Sequence, residues 1–186
     1  MAANKAPLFN TVGSDLPGIL LETKVLVYDK CGYEFANPLM ENESREYTAY
    51  TFELNNLAVR FRVAKITPTK TGQFVTLWKR IENGPIQPFD TSDEIDLVVI
   101  STRTDHHFGQ FIFPKSVLIE QGIMSDNKEG KRAIRVYPPW DKTTNKQAQK
   151  TQQWQLDYFL SIPSDGSIDI NKAKKLYSQN TSAALV

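Results

Sequence analysis

The stretch that most constrains this fold is Ile95–Ser101, IDLVVIS, because it is apolar on both alternating sets of positions. Side chains in a strand point alternately to opposite faces, so a run apolar on both sets belongs to an inner strand of a covered sheet. Asp96 stands at its entry. A second strand is predicted at Phe108–Phe113, FGQFIF. Pro114 then suits a first helical position, and Lys115–Gln121 reads as one or two turns ended by Gly122.

Upstream, the apolar period is two from Tyr47 onward. Tyr50, Phe52 and Leu54 alternate with polar residues, and Asn55-Asn56 tolerates the positive φ of a tight turn. Val59, Phe61 and Val63 alternate with Arg60 and Arg62, a turn falls at Thr67–Gly72, and Gln73–Ile81 continues. The expectation is a three-stranded antiparallel meander, 47–54, 57–66 and 73–81, with one side free to face water. Before it, Leu16, Ile19, Leu20, Thr23 and Val27 keep a helical period. With Asp15 as N-cap, Pro17 just inside and Gly32 beyond the end, a helix is predicted over 17–30. Residues 34–46 and 82–96 read as loops, the first with room for a short helix, and 1–13 as a loose arm.

Downstream, Ala133–Tyr137 reads as a short strand broken by Pro138-Pro139. Asp141 or Thr143 is the expected cap of a helix reaching about Leu160, and a short amphipathic stretch lies around Ile170–Tyr177. The order of elements is that of one mixed α/β or α+β domain spanning 1–186, neither barrel nor bundle. The apolar runs are far shorter than the ~20 residues of a membrane span, and the first residues lack a signal-peptide core. The one cysteine, Cys31, fits a reducing compartment, so the expected location is cytoplasmic.

Net charge is only +1, so electrostatic binding must rest on segregation of charge. Residues 57–81 hold six Lys/Arg and no acid, whereas the first 56 residues hold eight acids and four bases. The basic segment also carries Phe61, Phe74 and Trp78. Cations suit phosphates, and aromatic planes suit unstacked bases. Residues 128–150 form a second basic region, with seven Lys/Arg against two acids. On the long helix, Gln152 and Gln155 fall within the apolar stripe. There they either satisfy backbone groups of the sheet or look into a site. His106 and His107 are adjacent, so on a strand they point apart and make a poor metal pair. Cys31 has no histidine near it in sequence, and neither a phosphate-binding glycine loop nor a GxSxG motif is present.

The strings FRVAKITPTKTGQFVTLWKR (61–80), GQFIFPK (109–115), RVYPPWD (135–141) and AQKTQQWQLDYF (148–159) resemble the bacterial MepB family. The resemblance implies a restriction-endonuclease-like core, with a central mixed sheet and an antiparallel meander flanked by helices. Nucleases of that fold hold a divalent metal with a strand Asp and the acid of a (D/E)xK triplet. Here such triplets occur at Glu22-Thr23-Lys24, Asp126-Asn127-Lys128 and Glu129-Gly130-Lys131, none on a predicted strand. The strand-end candidate, Phe113-Pro114-Lys115 after Asp96, puts a phenylalanine where oxygen ligands are required.

The expectation is therefore a nucleic-acid-binding protein, favouring single-stranded DNA or RNA, with no catalytic residues, metal or cofactor. The expected contacts are Arg60, Arg62, Lys65, Lys70, Lys79 and Arg80, with Trp78 as a stacking platform and Lys115 and Arg135 joining them. Two alternatives are a metal-dependent nuclease using Asp96 with Glu53 or another acid, and a protein-interaction module.

Overall fold

The computed structural model describes residues 16–178. The expected arm and the Asp15 cap lie outside those residues. Helix α1 comprises Gly18–Thr23, a π-turn at Lys24–Tyr28, and Asp29–Cys31. Strands β1 (Phe35–Met40), β2 (Tyr50–Leu54), β3 (Leu57–Val63), β4 (Lys65–Thr67), β5 (Lys70–Thr76), β6 (Trp78–Arg80), β7 (Ile86–Pro88), β8 (Leu97–Arg103) and β9 (Phe108–Pro114) follow. Helix α2 (Lys115–Glu120), β10 (Ala133–Val136), α3 (Lys146–Leu156), β11 (Phe159–Ser161) and α4 (Ile170–Tyr177) complete the order. No helix among the described residues is long and apolar enough to cross a membrane.

A six-stranded sheet, β1-β2-β3-β8-β9-β11, forms the centre. Strand β8 lies inside it, parallel to β3 and antiparallel to β9. Val59, Phe61, Leu97 and Val99 face one way, into a core shared with Leu20, Val27 and Tyr28 of α1 and Leu176 of α4. Val98 and Ile100 face the other way, against Val75 of β5, Ile134 and Val136 of β10, and Leu118 of α2. Both alternating sets of β8 are apolar because each face of the sheet is covered. The fold class is mixed α+β around a central mixed sheet, as expected.

The three-stranded meander is not what forms. Strands β2 and β3 do pair, through a turn in which Asn55 and Asn56 take φ of 49° and 65°. At Ala64 the chain leaves the central sheet, and β4 and β5 join β10 in a second sheet ordered β10-β5-β4. It leaves again at Leu77, whose N–H donates to Arg132 O, and β6 pairs with β7 in a separate ribbon. Residues 64–96 are thus a long crossover between the parallel strands β3 and β8, and with β10 and α2 they build the layer covering one face of the central sheet. Parallel strands require such a connection.

Other boundaries move for local reasons. Pro17 sits at the cap with extended ψ of 141°, not within the helix. The segment 34–46 holds edge strand β1, hidden in the sequence by Asn37 at φ 53° and a register shift between Ala36 and Leu39. Edge strands and bulges are where Pro38 is tolerated. The loop 82–96 contains β7. Helix α3 starts at Asn145, whose side chain accepts from Ala148 N–H, rather than at Asp141 or Thr143. It ends at Leu156, so Phe159 lies on β11 and not on the helical stripe.

Candidate functional site

The expected contact residues fall into three settings. Arg62 is fully buried. Its guanidinium donates to both carboxylate oxygens of Glu41, Nη1 to Oε1 at 2.7 Å and Nη2 to Oε2 at 2.9 Å, and Nη1 also donates to Phe61 O. Arg60 shares that face, as alternation required, with Nη1 3.3 Å from Glu41 and its guanidinium over the Phe89 ring. The face is the one covered by the second sheet. Arg62 is therefore removed from the binding surface, because the chain's own acidic N-terminal segment neutralises it.

Lys79, Arg80 and Lys115 are held by partners within the protein. Lys79 Nζ lies 2.7 Å from Asp90 and 2.8 Å from Asp93. Burial works to lower its pKa, but the hydrogen bonds to these carboxylates outweigh that and raise it. The same contact, with Ser92, holds the Asp90 carboxyl down at about 2. Arg80 bonds Glu43 at 2.8 Å and Gly84 O, and stacks over Trp78. Trp78 is separated from Phe74 by the break at Leu77, so the two do not share one continuous strand face. Lys115 Nζ donates to Thr91 O at 2.8 Å and Asp93 O at 2.6 Å.

The third setting does gather several predicted residues. Across the outer face of the second sheet, Lys65 of β4 and Arg135 of β10 both stand opposite Phe74 of β5. The row is cation, aromatic ring, cation. Lys65 Nζ lies 4.6 Å from the Tyr47 ring centroid, and Tyr47 packs on Phe74. Arg135 stacks over Phe74 and donates to Gly72 O at 2.9 Å and Thr67 Oγ1 at 2.9 Å, which pins the β4–β5 turn. Lys70 is exposed beside that turn. Tyr137 extends the face: a Cβ at Gly72 would lie 2.5 Å from its ring, so only glycine lets the tyrosine cover that strand. Acids border the face as well: burial, the larger cause, raises the Tyr47 hydroxyl pKa, and so does the adjacent Glu46. Asp141 accepts from Gly72 N–H, and burial raises its carboxyl above the usual range despite that bond.

Tyr47 and Tyr137 are not among the contacts expected from the sequence. Tyr137 had a signal, since it stands two residues beyond Arg135 and so on the same strand face. Tyr47 had none, because it arrives from the short 3-10 turn Arg45–Tyr47.

The two basic regions meet in part, since β10 pairs with β5 along 133–136. Helix α3 seals the far edge of β10. Gln155 Oε1 accepts from Tyr137 N–H at 2.9 Å, and its Nε2 donates to Arg135 O at 3.0 Å. Gln152 Nε2 donates to Pro138 O and Asp141 O. The two glutamines therefore serve backbone groups, the first of the roles open to them.

At the entry of β8, the corner where a nuclease metal would sit is organised differently. Asp96 Oδ2 accepts from Ala58 N–H at 2.8 Å, and Lys115 N–H donates to Asp96 O. Phe113 is fully buried and stacks with Phe111, with Trp154 and Tyr158 tilted against it. Glu53 stands opposite Ala58 and takes a hydrogen bond from Asn37 Nδ2. That places Glu53 two strands from Asp96, roughly 10 Å at the usual strand spacing. Among the described residues no group of three His, Cys, Asp or Glu side chains is placed to hold a metal ion.

A family profile described as MepB-like matches residues 41–161. A crystal structure of MepB is similar to this chain with a TM-score of 0.68 and 36% identity, over 75% of this chain and 96% of that one. The structure of a bacterial homing endonuclease matches with a TM-score of 0.43 and 17% identity, over 77% of this chain and 93% of that one. No curated protein matches. The profile spans five of the six strands of the central sheet, the second sheet and helix α3, and the MepB structure follows nearly its whole length here: the chain belongs to the MepB-like family.

Proposed function

We propose that this protein binds single-stranded DNA or RNA on the outer face of its second sheet, as a binding module and not as a catalyst. The observation that carries the reading is the row Lys65–Phe74–Arg135, with Lys70 at the adjacent turn and Tyr137 beside it. Stacked aromatics with flanking cations recognise unstacked bases and their phosphates, and a duplex hides its base planes. The nuclease-like scaffold implied by the family is compatible with such a surface. The absence of a catalyst is supported by the corner at Asp96: Phe113 fills the position of a ligand, and the carboxylates of Asp96 and Glu53 are engaged apart.

The test is fluorescence anisotropy with a labelled single strand and a duplex of the same sequence at low salt. Tighter binding of the single strand is expected, with binding lost in the double variant Lys65→Glu, Lys70→Glu while the circular dichroism spectrum is retained. Equal binding by the double variant would remove the outer face from the interaction. Cleavage of either labelled strand in Mg²⁺ or Mn²⁺, abolished by Asp96→Ala, would establish the nuclease alternative instead.

A further inference from the structure

A cleft of about 1300 Å³ opens at the other end of β8 from Asp96. Its walls come from the β8–β9 turn, from Trp140, from the segment after β11 and from helix α4. An aromatic column runs out of the core into it. Phe111 packs on Phe159 at 4.9 Å, Phe159 on Trp140 at 5.6 Å and near-perpendicular, and Trp140 on His107 at 4.9 Å and 18°. The column ends in His107, which is exposed. Thr104 fixes the turn that presents it: its Oγ1 accepts from the N–H groups of His106 and His107, and it lies 3.2 Å from His107 Nδ1.

The lining of the same cleft supplies cations and hydroxyls: Arg103, Lys172, Ser161 and Ser164. Arg103 stacks over Phe108 at 4.1 Å and is paired with Glu22 at 2.6 Å. Asp105 and Glu22 are the acids in the lining, so the cations are not in large excess. An aromatic ring anchored through three others to the core is preorganised for stacking, which reduces the ordering cost of binding. Ile66, exposed to 63% on the edge strand β4, reaches the cleft, while its neighbour Lys65 belongs to the outer face. One edge strand therefore borders both surfaces.

We propose that this cleft is a nucleotide site, with the base stacked on the free face of His107 and the phosphate held by Lys172 with the Ser161 and Ser164 hydroxyls. It rests on the reading of the protein as a single-strand binder, and it assigns the cleft to a terminal nucleotide of a strand rounding the β4 edge. Neither His106 nor His107 needs a metal for this role.

The test uses the full chain and free nucleoside monophosphates, adenylate and uridylate, with inorganic phosphate as the comparison ligand, followed by calorimetry. Saturable binding of both nucleotides is expected, weaker binding of phosphate, and at least tenfold weaker nucleotide binding in His107→Ala and Lys172→Ala. Lys172 is exposed on α4, so its variant carries the test if His107→Ala disturbs the turn. The outer-face variant Lys65→Glu, Lys70→Glu should keep mononucleotide binding. If the wild-type chain shows no saturable binding at millimolar nucleotide, or if both cleft variants bind as the wild type does, the cleft proposal is overturned whatever the outer face does with oligonucleotides.

Discussion

Arg62 shows how a single residue can look functional in sequence and be structural in the fold. Its charge is buried against Glu41 with two short hydrogen bonds, and its Nε is buried with no hydrogen-bond partner. Removing one partner of a buried ion pair leaves an uncompensated charge, at a cost of about 3–5 kcal/mol, whereas an apolar side chain of similar volume is often tolerated. Glu41→Ala is therefore expected to lower unfolding free energy by several kcal/mol in urea titrations, and Glu41→Ala with Arg62→Met together by much less. Additive losses would contradict this coupling. Asp90 makes a separate prediction, in pH. Its folded pKa of about 2 lies below the usual 3.8, so its pairing with Lys79 stabilises the fold above the usual value. That contribution is lost as pH falls through about 2. The difference in urea midpoint between wild type and Asp90→Asn should be largest near neutrality and close on acidification; a difference independent of pH would exclude it.

At the scale of elements, the second sheet depends on helix α3. Strand β10 would leave Arg135 O and Tyr137 N–H facing a helix, and Gln155 supplies both a donor and an acceptor in the place of another strand. Each buried backbone group left unpaired costs about 1–3 kcal/mol, so Gln155→Leu is expected to destabilise the protein by roughly 2–4 kcal/mol in chemical denaturation. A neutral Gln155→Leu would mean that water reaches this edge. Gln155 was visible in the sequence as a polar intruder in an apolar stripe, but its partners were not, because they lie 18 and 20 residues away, on β10 and just past its end. Strands β8 and β9 were legible because burial on both faces leaves an unmistakable composition. The β3–β8 pairing was not, since parallel neighbours leave no turn between them to read. Alternation placed Arg60 and Arg62 on one face correctly. It could not say that residues 64–96 would come back and cover that face, and this is why the buried arginine and the exposed Lys65 looked alike.

Over the whole molecule, a net charge of +1 leaves binding to a few cations that the fold does not neutralise. Lys79 and Arg80 meet carboxylates at 2.7–2.8 Å, and Lys115 meets two backbone carbonyls. Lys65 and Lys70 are exposed on the outer face, Lys65 over an aromatic ring. Only cations that meet phosphate displace its condensed counterions, and for single strands each such contact contributes about 0.7 to the slope of log K against log salt. Replacing Lys65 and Lys70 with alanine should therefore flatten the slope by roughly 1.4 while leaving the urea midpoint nearly unchanged. Lys79→Ala and Lys115→Ala should do the reverse, lowering stability and leaving the slope as it is. The two readouts separate surface cations from structural ones by measurement. A slope that flattens for Lys79→Ala and not for the Lys65, Lys70 pair would move the nucleic-acid path off the outer face of the second sheet and onto the β6–β7 ribbon that carries Lys79.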